Sequence, residues 1–324
     1  MIGGGMKRRT FLQLPTVALG ARLARAADMP MPMATLGKSG LPVSRFVLGG
    51  FHMASRGEEN AIQMIHRAID LGVTFFDCAY LYHGGRSEEY YGKALQGGLR
   101  KKVLLMSKAH LRDRASAMRQ LEESLQRMQT DYLDLWQCHQ VATPAEVVQI
   151  LGPNGALEAF VQAKQQGKVR HIGFTGHRDP EALQRMLDSY DGWETVQHPV
   201  NLVDPHYLSF LSSVVPNIRK KKLGLLAMKS NAMGPILRNK IATIQECLRF
   251  TLSQDVDAVV SGPETVEQLE ENVAAVKNFR KMTPEEISAL LARTRKGPHG
   301  TEIERYKKGA PDAMQHVHQD GEMG

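Results

Sequence analysis

The sequence predicts a (β/α)8 TIM barrel fronted by a short N-terminal β-hairpin. Three observations carry the prediction. Short apolar runs rich in Val, Ile and Leu recur eight times between residues 46 and 260, the composition of strands buried on both faces of a parallel sheet. Amphipathic stretches separate them, and eight strand–helix units in roughly 250 residues is the stoichiometry of the closed barrel. The competing doubly wound fold needs a third glycine after its first strand, and Gly49-Gly50-Phe51 lacks one at the required spacing.

The elements follow in chain order. Leu36-Gly37-Lys38-Ser39-Gly40 reads as the turn of a hairpin that closes the barrel floor. The eight strand runs are 46–48, 73–76, 103–106, 132–136, 169–174, 195–197, 223–228 and 258–260. Met118, Leu121, Leu125 and Met128 recur at helical spacing over residues 115–128. Pro180 opens another helix, with Asp179 placed to cap it. No linker rich in Pro or Ser divides the chain, so residues 34–295 are one barrel domain. Residues 296–324 are polar, His-rich and broken by Gly and Pro, which predicts a loosely packed tail.

Residues 1–27 have a different character. Arg8-Arg9-Thr10-Phe11-Leu12 fits the twin-arginine pattern, a mildly apolar stretch follows over 14–23, and Ala24-Arg25-Ala26-Ala27 offers small residues for cleavage after Ala26 or Ala27. Thr16, Gly20 and Arg22 interrupt the apolar part, which is too short for the roughly 20 residues a membrane helix needs. The expectation is a signal peptide that takes the folded chain through the twin-arginine translocase to the periplasm or beyond. If the signal is unused, the protein is cytoplasmic.

Composition excludes several classes. The 324 residues are 42% hydrophobic and 23% charged, ordinary for a soluble globular protein, and no run predicts stable membrane insertion. The net charge of +7 sits largely in Lys7, Arg8, Arg9, Lys307, Lys308 and Arg219-Lys220-Lys221-Lys222. These are solvated clusters, not a nucleic-acid interface. Three cysteines, Cys78, Cys138 and Cys247, with no CxxC pair, suggest neither a disulfide framework nor a metal site.

Catalytic groups in such a barrel come from the C-terminal ends of strands. Asp77 ends the second run, Tyr82 follows five residues later, Lys108 ends the third and His139 the fourth. Together they make a coherent acid. Adding hydride to a carbonyl builds negative charge on oxygen, so a proton must arrive there. Tyr82 can supply it once the Lys108 ammonium lowers its pKa. Asp77 can pair with Lys108, and His139 can orient the substrate oxygen.

Asp77-Cys78-Ala79-Tyr80-Leu81-Tyr82 followed by Gly85-Arg86-Ser87-Glu88 resembles the aldo-keto reductase motif D-x-A-x-x-Y…G-x-S-E. Ser107-Lys108, Leu133-Asp134-Leu135-Trp136-Gln137-Cys138-His139, residues 167–174, Val196-Gln197, residues 225–229 and residues 268–272 continue the similarity, over about residues 34 to 280. The resemblance implies an NAD(P)-dependent oxidoreductase that reduces a small aldehyde or ketone, with the nicotinamide nucleotide across the barrel mouth. It gives Thr175 and Gln197 to the carboxamide, Met228 to the nicotinamide face, Lys229, Ser230 and Asn231 to the diphosphate, and Gly262, Glu264, Gln268 and Asn272 to the adenosine end. Phe51, His52 and His110, with Tyr80 and Trp136, are candidate substrate contacts.

The chain departs from the family pattern in three places. Thr175-Gly176 replaces a Ser-Asn pair, and Met228 replaces an aromatic residue. Ala227-Met228-Lys229 resembles a bacterial branch, some of whose members add a C-terminal cysteine cluster for iron and sulfur; no cysteine follows Cys247 here, so none is expected. Glu264 stands where many relatives carry an arginine that holds the 2′-phosphate. NADP(H) is the expected cofactor, with NAD(H) the alternative that Glu264 favours. A second function class, suggested by the family's potassium-channel β-subunits, is a nucleotide-binding redox sensor or regulatory subunit with little turnover.

Overall fold

A computed structural model describes residues 29–310. The expected export signal at 1–27 lies outside them, as do residues 311–324.

Eight parallel strands close into a barrel: β3 (Phe46–Gly49), β4 (Phe75–Asp77), β5 (Leu104–Ala109), β6 (Leu133–Cys138), β7 (Val169–Thr175), β8 (Thr195–Pro199), β9 (Gly224–Met228) and β10 (Ala258–Ser261), with β10 pairing back onto β3. All eight expected runs are strands. Two boundaries differ most: β5 runs three residues beyond its apolar core, and β4 begins two residues late. Thr74 and Ser44 exchange side-chain hydrogen bonds with each other's backbone at 3.1 and 3.0 Å, so the Thr74 amide is diverted from the ladder while its carbonyl still accepts from Leu104 N at 2.7 Å. The hairpin is present as β1 (Met33–Thr35) and β2 (Pro42–Ser44), antiparallel, with the Gly37–Ser39 turn between them.

Successive side chains of a strand point to opposite faces, and that alternation sorts two cores. Val47, Phe75, Met106, Leu135, Leu226 and Ala258 point inward and meet Leu36, Leu41 and Val43 of the hairpin, which plugs the floor. Phe46, Phe76, Leu105, Trp136, Val196 and Val259 point outward into the helix layer. Two residues beyond the inward floor layer, the same parity turns Asp77, Lys108, Gln137, Gln197 and Met228 inward, so polar groups collect above an apolar floor.

The helices begin on their capping residues. Asp113 accepts from Ser116 N to start Arg114–Arg127, and Asp179 accepts from Glu181 N to start Pro180–Ser189, each filling an orphan donor of the first turn.

Residues 300–310 do not form the loose tail that their polarity predicts. Ile303, Tyr306 and Ala310 are buried, and Lys307 and Glu304 are fully buried with them. Lys307 Nζ reaches Asp204 at 2.8 Å and Glu304 at 2.7 Å, and donates to the Tyr207 carbonyl at 2.6 Å. The charges that look like a solvent-exposed tail are one another's partners, and Glu304 Oε1 also accepts from Asn201 at 2.9 Å.

Candidate active site

A cavity of about 460 Å³ opens at the C-terminal mouth of the barrel, within the size range of small-molecule sites. Asp77, Tyr82, Lys108 and His139 all line it. Lys108 Nζ donates to Asp77 Oδ1 and, at 2.6 Å, to the Cys78 carbonyl. Gln197 Nε2 donates to the other Asp77 oxygen at 2.7 Å. The Tyr82 ring stands edge-on to His139 at 5.7 Å and lies 5.1 Å from the Lys108 ammonium.

The loop that carries Tyr82 is braced from below. Ser87 Oγ donates to the Gly50 carbonyl at 3.0 Å, and Glu88, fully buried, accepts from Ser107 Oγ at 2.6 Å and pairs with Arg127 at 3.2 Å. Arg127 passes under Gly85, where φ is +92° and a Cβ would meet the guanidinium at 2.6 Å; only glycine fits. The G-x-S-E residues therefore hold Tyr82 in place and leave the cavity to others.

The electrostatics differ from the sequence expectation at one point. Burial, and then the Asp77 and Cys78 charges, push the Tyr82 hydroxyl well above its ordinary pKa. Lys108, 5.1 Å from the ring and paired with Asp77, does not outweigh them. Tyr82 is held protonated, the state a proton donor needs. Burial and then Lys108 hold His139 well below the ordinary imidazole value, so it is neutral. Its Nδ1 is buried without a partner. A proton there would be an unsatisfied buried donor, so the proton belongs on Nε2, free to donate into the cavity. Arg112 fixes the His139 backbone by donating to the carbonyls of His139 at 2.8 Å and Gln140 at 3.1 Å.

The expected nucleotide contacts also line the cavity: Thr175, Gln197, Met228, Lys229, Ser230, Asn231, Gly262, Glu264, Gln268 and Asn272. Gln197 Oε1 is buried with no partner, an acceptor suited to a carboxamide N–H. Lys229, Ala232, Met233 and Gly234 all have positive φ, from 53° to 100°, in a tight loop of the kind that presents backbone dipoles to anions. Thr175 Oγ1 is already engaged by Gln140 N at 2.9 Å. At the far end Glu264 pairs with Arg56 at 3.3 Å, and its backbone N–H donates to Gln268 Oε1 at 2.9 Å.

Phe51 and His52 reach the cavity, but three expected substrate contacts do not. His110 stands behind His139, with ring centres 6.3 Å apart. Trp136 has the outward parity of its strand and stacks on Phe160 at 3.9 Å. Tyr80 turns to the helix layer and donates to Glu123 at 2.6 Å. Conversely, His177, Arg238 and Glu271 line the cavity without having been signalled in the sequence. His177, two residues past the end of β7, is in a position that strand-end logic flags; Arg238 and Glu271 carry no such signal.

The aldo/keto reductase family model matches residues 45–236. The chain is 26% identical over 313 residues to an uncharacterized oxidoreductase, YqkF, of Bacillus subtilis, covering 80% of this chain and 95% of that one. It is 27% identical over 316 residues to the L-galactose dehydrogenase of Arabidopsis thaliana, covering 79% and 93%. Among solved structures, the holo form of a Bacillus halodurans aldo-keto reductase superposes with a TM-score of 0.69 at 23% identity, over 81% of this chain and 96% of that one. A Klebsiella pneumoniae aldo-keto reductase in complex with NADPH gives 0.67 at 24%, over 85% and 99%.

Proposed function

The chain belongs to the aldo/keto reductase family, and from that premise we propose that it reduces an aldehyde or ketone to an alcohol with Tyr82 as the proton donor. Family membership implies NAD(P)H-dependent carbonyl reduction; the residue roles rest on one observation, the convergence of Tyr82, Lys108–Asp77 and a neutral His139 on one cavity wall. A bound nicotinamide nucleotide supplies the hydride. His139 donates from Nε2 to the carbonyl oxygen and aims it at Tyr82. Tyr82 gives its proton as charge develops on that oxygen. Lys108, anchored by Asp77 and Cys78, stabilises the phenolate left behind. Gln197 offers Oε1 to the carboxamide, while its amide holds Asp77.

NADP(H) is the cofactor we propose, with NAD(H) as the alternative. Arg56 beside Glu264, and Arg238 on the cavity wall, supply cations for a 2′-phosphate from elements other than the usual arginine position. Glu264 itself suits ribose hydroxyls. Loss of reduced-nucleotide absorbance with a panel of aldehydes, for the wild type and Tyr82→Phe, tests the reaction. Wild-type turnover that collapses in the variant is expected. A wild type that binds NADPH tightly yet turns over no aldehyde overturns the reductase in favour of a sensor.

We also propose that residues 1–27 direct export through the twin-arginine route. That system carries folded proteins, which suits a chain exported with its nucleotide bound. Cell fractionation tests it: full-length protein retained in the cytoplasm overturns export.

A further inference from the structure

We propose that the Lys229 ammonium is an anion anchor for the substrate, so that the preferred carbonyl compounds carry a carboxylate. The proposal rests on the carbonyl-reductase reading and names its substrate class. By resemblance Lys229 goes to the diphosphate; its ammonium also has contacts that bear on the substrate side of the cavity. Lys229 Nζ lies 3.2 Å from Met233 Sδ and 5.1 Å from the centre of the Tyr306 ring. Tyr306 in turn meets the His177 ring edge-on at 5.7 Å, and His177 lines the cavity together with His139. The ammonium thus belongs to the wall shared with the tetrad.

Charge compensation separates the two lysines of this cavity. Lys108 has Asp77. No carboxylate of the described residues lies within ion-pairing distance of Lys229. Burial, and then the neighbouring Lys108 charge, lower it to about 8, against a smaller opposing effect of Asp77. It is still largely protonated at neutral pH, and a partly buried cation without a partner is costly. A ligand carboxylate would remove that cost with a charge-assisted hydrogen bond. His52, which also feels the Lys229 charge, is itself lowered first by burial and offers no anion.

Tyr306 is the positioning residue. Its hydroxyl donates to Glu304 at 2.8 Å and accepts from Asn201 at 3.0 Å, and Glu304 is locked to Lys307. The ring is therefore a fixed platform that holds the ammonium by a cation–π contact. A segment that looks like a loose tail thereby supports a cavity-lining lysine from behind.

The test compares para-carboxybenzaldehyde with the neutral para-methylbenzaldehyde. Their dissociation constants are measured by calorimetry on the full chain saturated with NADP+, for wild type, Lys229→Met, Lys229→Arg and Tyr306→Leu; NADPH affinity is measured separately by fluorescence. The acid should be preferred by the wild type. That preference should fall roughly tenfold to a hundredfold in Lys229→Met, the range of one charge-assisted hydrogen bond, return in Lys229→Arg and fall less in Tyr306→Leu. An unchanged preference in Lys229→Met, or a loss of NADPH affinity as large as the loss of acid affinity, overturns the proposal and returns Lys229 to the diphosphate. Lys229-dependent acid binding without turnover of any aldehyde would leave the anchor standing and remove the reductase.

Discussion

The two halves of the barrel mouth are built differently. On the side of β4 to β6 the polar groups are tied to the protein: both Asp77 oxygens are bonded, Lys108 holds Asp77 and Cys78, and Glu88 with Arg127 braces the Tyr82 loop. On the side of β9 and β10 the loop after Met228 strings together residues of positive φ, and Lys229 and Arg238 line the cavity without a carboxylate partner among the described residues. The first half suits a reaction in which charge appears in place, since dipoles fixed beforehand need no reorganisation. The second suits a ligand that arrives with its own charge and completes the bonding.

The largest expected effect comes from breaking the first half at its acid. Tyr82→Phe should lower kcat by roughly a hundredfold to ten-thousandfold, the contribution of a positioned proton donor. NADPH affinity, measured by fluorescence titration, should stay nearly constant, because the hydroxyl belongs to the other half. Equal kcat for the two proteins would remove Tyr82 as the acid.

Stability should separate the halves next. Lys108→Met leaves Asp77 buried without its counter-ion, which typically costs about 3–5 kcal/mol. Arg238→Met removes an exposed cation, and such surface changes stay within about 0.5 kcal/mol while weakening NADPH. Urea unfolding of the two variants measures the difference. Equal losses would mean that the mouth is not divided in this way.

Acid should reach the tetrad half through its neutral imidazole. His139 is held well below its ordinary value, and His198, stacked on Phe210 in the barrel wall, is lowered to about 4. Both fold as neutral rings. The unfolded chain takes up protons near pH ~6.5 that the folded chain refuses. Their contribution to stability is present above that pH and is lost as pH falls through it toward the folded values. Unfolding free energies measured from neutral pH down to about pH 4 should therefore decline, and less steeply in His198→Asn. No such difference between the two proteins would contradict a neutral His198.

The halves were also unequally legible in the sequence. Strand parity makes Asp77, Lys108 and His139 readable, because each stands an even number of residues beyond an inward floor residue. The same parity rule excludes Trp136, which alternation turns outward toward Phe160. His110 and Tyr80 fail for a related reason: nearness in sequence to a strand end does not say which way a loop turns. The nucleotide half has no such rule. Lys229, Arg238 and Glu271 sit in a loop and helices whose course depends on long-range packing, and resemblance alone suggests their places. The tail was least legible. Polarity reads as exposure until Asp204, more than a hundred residues away in sequence, is known to face Lys307.

The smallest expected effect lies at the outer edge of the second half. Arg56 and Glu264 are both about half exposed and 3.3 Å apart, so their ion pair contributes at most about 1 kcal/mol to folding. Their value lies in nucleotide choice. A 2′-phosphate placed there is repelled by Glu264 and attracted by Arg56, while a 2′-hydroxyl can donate to the carboxylate. Arg56→Ala should weaken NADPH by roughly tenfold or less and leave NADH nearly unchanged, one exposed charge contact being worth no more than this. Glu264→Arg should move the NADPH-to-NADH affinity ratio by about the same factor in the opposite direction. Fluorescence titration with both nucleotides measures each ratio. If neither variant alters the ratio, the 2′-position lies elsewhere on the rim, and Arg238 becomes the cation to test.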